Sequence, residues 1–293
     1  MSSPAPVLQT TPFAATRYTD FWNEVLVPKF VRWKHIVVDG LAQHSAQVFP
    51  KLEVGPGDKV IDAGCGFGDT TLELARIVGP SGSVIGVDCC NAFLDHARND
   101  AGRASTRNVV FVEADVETYP FEPVHDVCFS RFGTQFFEDP VAGLCNMRAA
   151  LRPGGVMTMI VWRKLTENPW MSIPRDVVLR FLPRPNKNAR TCGPGPFSMA
   201  DQHVVRRLLE GSGYSEISFE RIDAEVLVGR DLEEAVEFQL SLGPAGEVYR
   251  EAGDEAVHKR AQITEKLKAE LEQYLTPEGV MMSSSSWKVS ARR

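Results

Sequence analysis

Two acids and a cluster of glycines carry the chemistry that is easiest to read from this chain. Val60-Ile61-Asp62-Ala63-Gly64-Cys65-Gly66-Phe67-Gly68 reads as a strand that ends, turns tightly and enters a helix. Glycines at such a turn admit a ligand to the backbone without Cβ clashes. Open amides at a helix start suit a polar or anionic group. A dinucleotide fingerprint would be G-x-G-x-x-G; here the spacing is G-x-G-x-G, and Asp69 stands where the third glycine should be. Asp62, two residues before the first glycine, aims a carboxylate into the turn. That suits a ligand bearing an amino group better than one bearing a pyrophosphate. A second acid, Asp88, ends the run Val84-Ile85-Gly86-Val87-Asp88 and is followed by Cys89; a carboxylate there can accept from both hydroxyls of a ribose.

The elements that must position these groups follow from periodicity. Strands are predicted at 59–63, 83–87, 109–113, 126–130 and 156–162, with helices at 69–78, 92–101 and 141–151 between them. Strands alternating with helices at this spacing imply a parallel sheet covered on both faces. The strands are apolar runs rather than alternations, as a sheet buried on both faces requires. Ahead of them, residues 14–49 are helical and aromatic, with Phe21, Trp22, Val25 and Leu26 on one face and Phe30, Trp33, Val37 and Leu41 following at helical spacing. Pro28 is expected to split this stretch into two helices. Residues 1–12 are Ser/Pro/Thr-rich and expected to be mobile. After Trp162 the alternation stops, and 163–200 holds a Pro/Gly-rich loop. A helix at 201–211 and a strand near 217–228 resume the core, 231–275 reads as helices, and 281–291 as a closing strand. Ile263, Leu267, Leu271 and Leu275 recur every four residues, a packing face.

The pattern D-x-G-x-G-x-G resembles motif I of class I S-adenosylmethionine-dependent methyltransferases. Further motifs follow in the same order: Asp88, Ala114-Asp115-Val116, Ser130-Arg131-Phe132-Gly133 and the turn Arg152-Pro153-Gly154-Gly155. All fall at strand ends, where open α/β sheets bind ligands, except the last, which leads into a strand. The likeness is good over 55–163 and looser over 200–229 and 280–293. Ser130 to Phe137, Trp162-Arg163 and Asn168-Pro169-Trp170 bring it nearest to the small-molecule, ubiquinone/menaquinone-biosynthesis-like group. The resemblance implies an α/β fold with a Rossmann-like, seven-stranded, mostly parallel sheet and helices on both faces. It implies a domain over 55–293, preceded by a helical segment at 1–54, with helical insertions at 163–200 and 231–275 forming a lid. It further implies S-adenosyl-L-methionine as cofactor, with S-adenosyl-L-homocysteine as product. The residues expected to hold it are Asp62, Gly64, Cys65, Gly66, Asp88, Cys89, Asp115, Val116, Ser130 and Arg131. In that family an acid stands at the position of Asp115 near the adenine amino group, and an apolar side chain at that of Val116 against the ring. Tyr18 and Trp22 are placed to close over it.

The implied reaction is displacement at a methyl carbon already activated by its sulfonium, so alignment and exclusion of water matter most. A base is needed only for a protonated acceptor. His35, near the aromatic helices, and His203, at the start of a later helix, are the candidates. His125 and His96 read as structural, and His44 and His258 lie on helices without supporting motifs. Arg131 could orient an anionic substrate or form a structural ion pair. The loop cations Arg184, Lys187 and Arg190 read as a solvated loop rather than an acid-binding lid, and Asp139, before Pro140, as a helix N-cap.

Composition narrows the rest. The 293 residues carry 32 basic and 38 acidic side chains, a net charge of −6, which gives no bulk attraction to nucleic acid or anionic membrane. The expected partner is a small, partly apolar acceptor, with neither nucleic acid nor membrane; a homodimer is left open. The longest strongly apolar run, 156–162, is too short to span a bilayer, and the N-terminus shows no secretory signal, so the cytoplasm is the expected compartment. None of the six cysteines forms C-x-x-C or a zinc-site spacing, which favours reduced thiols and no metal. Three alternatives remain: a non-catalytic partner subunit of the same fold, a methyltransferase acting on nucleic acid or protein, and an NAD-dependent oxidoreductase, against which the glycine spacing argues.

Overall fold

The computed structural model describes residues 16–186 and 189–293; residues 1–12 and Lys187 lie outside these. The aromatic N-terminal stretch forms α1 (Arg17–Phe21), a π-helical turn (Trp22–Leu26), α2 (Val27–Arg32) and α3 (Lys34–Val48). Thr16 caps the first turn with its hydroxyl. The break expected at Pro28 falls instead at Trp33 (φ −103°, ψ 18°). Pro28 occupies the first turn of α2, where a missing amide leaves no hydrogen bond unmade, and the wide turn before it absorbs the ring.

The βα alternation follows the sequence closely: β1 (Lys59–Ala63), α4 (Asp69–Val78), β2 (Ser83–Asp88), α5 (Asn91–Arg103), β3 (Val109–Glu113), β4 (His125–Arg131), α6 (Pro140–Ala150) and β5 (Leu151–Trp162). Asp139 caps α6, its carboxylate accepting from the amides of Val141 and Ala142. Next come α7 (Pro169–Val178), α8 (Gln202–Gly211), β6 (Ser215–Gly229), α9 (Leu232–Ser241), α10 (Gly243–Glu251), α11 (Asp254–Leu271), the short β7 (Leu275–Thr276) and β8 (Gly279–Arg292). The sheet order is β3-β2-β1-β4-β5-β8-β6, with β7 added against β8. Among the described residues it has the seven strands expected, plus the two-residue β7. β1 to β5 are parallel, and β8 runs antiparallel to both β5 and β6. This is a Rossmann-like α/β sheet with helices on both faces.

β5 stops pairing at Trp162 opposite Ser286, while β6 and β8 continue to the pair Gly229–Val280. The overhanging ribbon carries Val226, Val228, Val280 and Met282 into a second core with Trp33, Ile36, Val177, Phe238 and Ile263. The insertions therefore pack together on this ribbon, apart from the cores on the two sheet faces. Ile263, Leu267 and Leu271 are fully buried there, whereas Leu275, the last of the stripe, has left the helix and is exposed. Asn168 joins insertion to sheet: its amide donates to the carbonyls of Arg163, Lys164 and Ser285 and accepts from the Ser285 amide.

Candidate functional site

The parallel strands end side by side, with Asp62 level with Gly86 and Phe129, and Asp88 level with Glu113. The order reverses between β1 and its neighbours β2 and β4, the place where open sheets form a ligand crevice. Asp62 is fully buried. One carboxylate oxygen accepts from Thr70 (2.7 Å) and Thr71 (2.6 Å); the other, Oδ1, is buried without any partner. Burial pushes the carboxyl up to about 6 against the hydroxyl bonds that favour its charge. Asp88 is also buried and pushed up to about 6 by burial. Its oxygens accept from the amides of Gly66 (2.8 Å) and Cys90 (2.9 Å).

The glycines divide the work between packing and access. Gly64 (φ +69°) lies against Gly133, whose Cα a Cβ would meet at 3.0 Å. At Gly68 (φ +78°) a Cβ would strike that of Ala97 at 2.6 Å, whereas Gly66 (φ +52°) has open space where a side chain would go. The turn is tied to β2 by the amides of Gly64 and Cys65, both donating to the Val87 carbonyl. Ser130 donates from its hydroxyl to the Ala63 carbonyl at 2.7 Å, bracing β4 against β1. Phe132, just past β4, adopts a left-handed backbone (φ +58°) that only glycine takes without strain, and stacks on Trp162 at 3.9 Å. Over the crevice, Trp22 makes ring contacts with Phe30, Phe93 and Phe136, and its indole donates to the Cys192 carbonyl at 3.3 Å. Tyr18 lies by Gly193 of the same loop. Val27, Phe67, Cys90 and Phe93 are buried beneath this roof, with Cys89 packed against them.

A family model described as a methyltransferase domain matches residues 60–155. The chain is 28% identical over 226 residues to the ubiquinone/menaquinone biosynthesis C-methyltransferase of Ectopseudomonas mendocina, covering 73% of this chain and 82% of that one. It is 33% identical over 168 residues to the enzyme of the same name from Hahella chejuensis, covering 56% of this chain and 61% of the other. The fold is also that of phosphoethanolamine N-methyltransferase 2 of Haemonchus contortus, solved with S-adenosyl-L-methionine (TM-score 0.57, 17% identity, 97% of this chain and 61% of that one). The matched domain and these relatives make the chain an S-adenosylmethionine-dependent methyltransferase, on a Rossmann-like fold. It is an enzyme that transfers a methyl group from S-adenosyl-L-methionine to a small molecule.

The site of this methyltransferase fits that cofactor on its own geometry. A buried carboxylate oxygen without a partner calls for a donor, and Asp62 Oδ1 lies in β1 just before a turn with an open face at Gly66. Several expected residues also serve the frame. Cys65 is buried behind the turn, its sulfur 3.0 Å from where Gly86 would carry a Cβ. Asp115 accepts from the amide of Glu117, and Val116 is buried in the main core. Arg131 forms the ion pair left open as an alternative: it pairs with Asp69 at 2.7 Å and donates to Ser45 at 3.1 Å. The two candidate bases also lie elsewhere. His35 is exposed on α3 and pairs with Glu234 of α9 at 3.1 Å, and His203 is exposed at the start of α8.

The sequence did not single out His44. It is fully buried, its ring nitrogens 2.8 Å from the hydroxyls of Ser286 and Ser284, and its edge meets Phe132 and Trp162. Burial, with Arg131 nearby, holds it down at about 4. Its serine partners lie at the far end of the chain, so only the four-serine run at 283–286 could have hinted at them. Arg190, read as a solvated cation, pairs with Glu24 at 2.8 Å and lies over Phe21.

Proposed function

We propose that this methyltransferase acts on a small, partly apolar ring compound held beneath the aromatic roof, with the donor along the ends of β1, β2 and β4. One observation carries the donor's placement: Asp62 Oδ1 is buried without a partner beside the glycine turn. A cationic amino group there would complete its hydrogen bonding. Asp88, held by two backbone amides, offers its remaining lone pairs to ribose hydroxyls. Gly66 leaves room for the donor's polar end, and Cys89 borders the nucleoside side. When bound, S-adenosyl-L-methionine supplies a methyl group already activated by its sulfonium.

The chain's own residues then align and exclude water. Trp22, Phe30, Phe93 and Phe136 make an apolar, aromatic cover, which suits a flat apolar acceptor. Relatives named for ubiquinone/menaquinone biosynthesis are C-methyltransferases by that name, which supports a quinol-type ring as the acceptor class. The described part of the N-terminal segment, 16–54, and the described residues of the insertions at 163–200 and 231–275 serve as the lid on the core. Neither His35 nor His203 is assigned a role as base.

The test is incubation with methyl-labelled donor and two acceptor sets, substituted benzoquinols and naphthoquinols against small hydrophilic amines. Label is expected in the quinols. Label confined to the amines would overturn the acceptor class, and undiminished S-adenosylhomocysteine binding by both Asp62→Ala and Asp88→Ala would overturn the donor's placement.

A further inference from the structure

We infer that Asp88, Cys89 and Cys90 form a site for one thiophilic divalent cation, of the zinc and cadmium class, and that an ion held there excludes the cofactor's ribose. The exclusion rests on the placement of the ribose at Asp88 proposed above; the ion site does not.

Among the described residues, a carboxylate oxygen of Asp88 and the sulfurs of Cys89 and Cys90 all lie within 4.8 Å of one another. The two sulfurs are 3.7 Å apart. Two thiolates on a tetrahedral ion, each bonded at about 2.3 Å, stand about 3.8 Å apart, so the pair is spaced to hold one ion without moving. Consecutive side chains in a strand point to opposite faces. Here β2 has ended and Cys90 is already the N-cap of α5 (φ −115°, ψ 98°), which brings both sulfurs to one side. The carboxylate is fixed by the amides of Gly66 and Cys90, the kind of outer bonding that orients metal ligands. Cys90 is buried and Cys89 half-buried under the roof, so one thiol anchors and the other meets the incoming ion. Two sulfurs and one oxygen leave a fourth position for water. Binding converts two thiols to thiolates and sends two protons to solvent.

The pair is adjacent in sequence and so matches no zinc-site spacing. Its chemistry also differs from that of the reaction, which needs no metal. An ion bound to one Asp88 oxygen takes up a lone pair that a ribose hydroxyl would use, so ion and cofactor compete.

The experiment uses the full chain, reduced with a non-thiol phosphine, and Co²⁺ as a spectroscopic probe. Wild type is expected to take up one equivalent with a sulfur-to-cobalt charge-transfer band. Cys89→Ser/Cys90→Ser should lose the band, and Cys192→Ser should keep it; thermal melts establish that each variant is folded. Adding S-adenosylhomocysteine should bleach the wild-type band. Zn²⁺ at ten times its own Kd should raise the apparent Kd of S-adenosylhomocysteine about tenfold. No band, or a band that survives in the double variant, overturns the ion site. A band undisturbed by saturating S-adenosylhomocysteine overturns the exclusion. Failure of the metal-free protein to bind S-adenosylhomocysteine sinks the cofactor placement and the exclusion with it, while the cobalt spectrum still judges the ion site.

Discussion

Asp62 and Asp88 are carboxyls that the fold makes unfavourable to charge. Both sit at about 6 because burial outweighs the bonds each receives. An acid raised from 3.8 in the unfolded chain to about 6 in the native protein favours folding while protonated, and that advantage is lost as pH rises through this window. For Asp62 the loss amounts to about 3 kcal/mol. A bound ligand that supplies donors to the charged forms reverses the shift, so binding should release protons near pH 6. S-adenosylhomocysteine affinity is therefore expected to rise between about pH 5 and 7, as calorimetry in buffers of different ionisation enthalpy will measure. Asp62→Asn should flatten the rise and weaken binding without lowering the Tm at neutral pH. A pH-independent affinity in wild type would sink the argument. The sequence marked both acids because their spacing from the glycines is local. His44 escaped because its meaning depends on Ser284 and Ser286 at the other end of the chain. Its sign is opposite: a histidine lowered from 6.5 to about 4 contributes stability that is present above 6.5 and lost as pH falls toward 4. His44→Gln should therefore lose stability at pH 7, by about 1–3 kcal/mol for the broken buried hydrogen bonds. It should also show a shallower fall of Tm between these pH values than wild type.

At the level of elements, the glycine turn separates a crowded position from an open one. Gly66 and Gly68 both have positive φ, but only Gly68 is crowded. Gly66→Ala should lower stability by only about 1–2 kcal/mol while weakening cofactor binding markedly. Gly68→Ala adds a steric clash with Ala97 and should lower stability by several kcal/mol, read by denaturant unfolding. Equal losses for the two would contradict this division. The βα units were legible because each strand is a short apolar run closed by turn residues; β1, α4 and β3 match their predicted spans, and neighbouring boundaries move by a few residues. What could not be read was register. The overhang of β6 and β8 beyond Trp162 depends on which residues pair across the sheet, and the alternation within a strand does not report that. Pro28 misled because proline marks a helix start as readily as a helix break, and the outcome was decided by the π turn in front of it.

For the molecule as a whole, the split into sheet cores and a separate helical core has a dynamic consequence. The core of α7, α9, α10 and α11 is apolar and deep, so it should exchange its amides slowly whether or not ligand is bound. The roof is held differently. Lys29 donates to the Ser241 carbonyl at 3.0 Å, Glu24 pairs with exposed Arg190, and Trp22 bonds the Cys192 carbonyl. Such mixed polar and aromatic contacts at the rim contribute little each, and segments of low local stability are the ones that open for ligands. If the acceptor binds beneath Trp22 as proposed, Trp22 has to part from Phe93, Phe136 and the Cys192 carbonyl, which it now contacts. Hydrogen–deuterium exchange should therefore show fast exchange in 17–32 that slows on adding S-adenosylhomocysteine, with parallel slowing in 63–69. Exchange in 254–271 should stay unchanged. Trp22→Ala should remove most of the protection in 17–32 and raise KM for the donor more than it lowers kcat, because it removes cover rather than a reacting group. If 17–32 is equally protected with and without ligand, the roof is a fixed wall, and the acceptor must enter from the side of Phe132 and Trp162 instead.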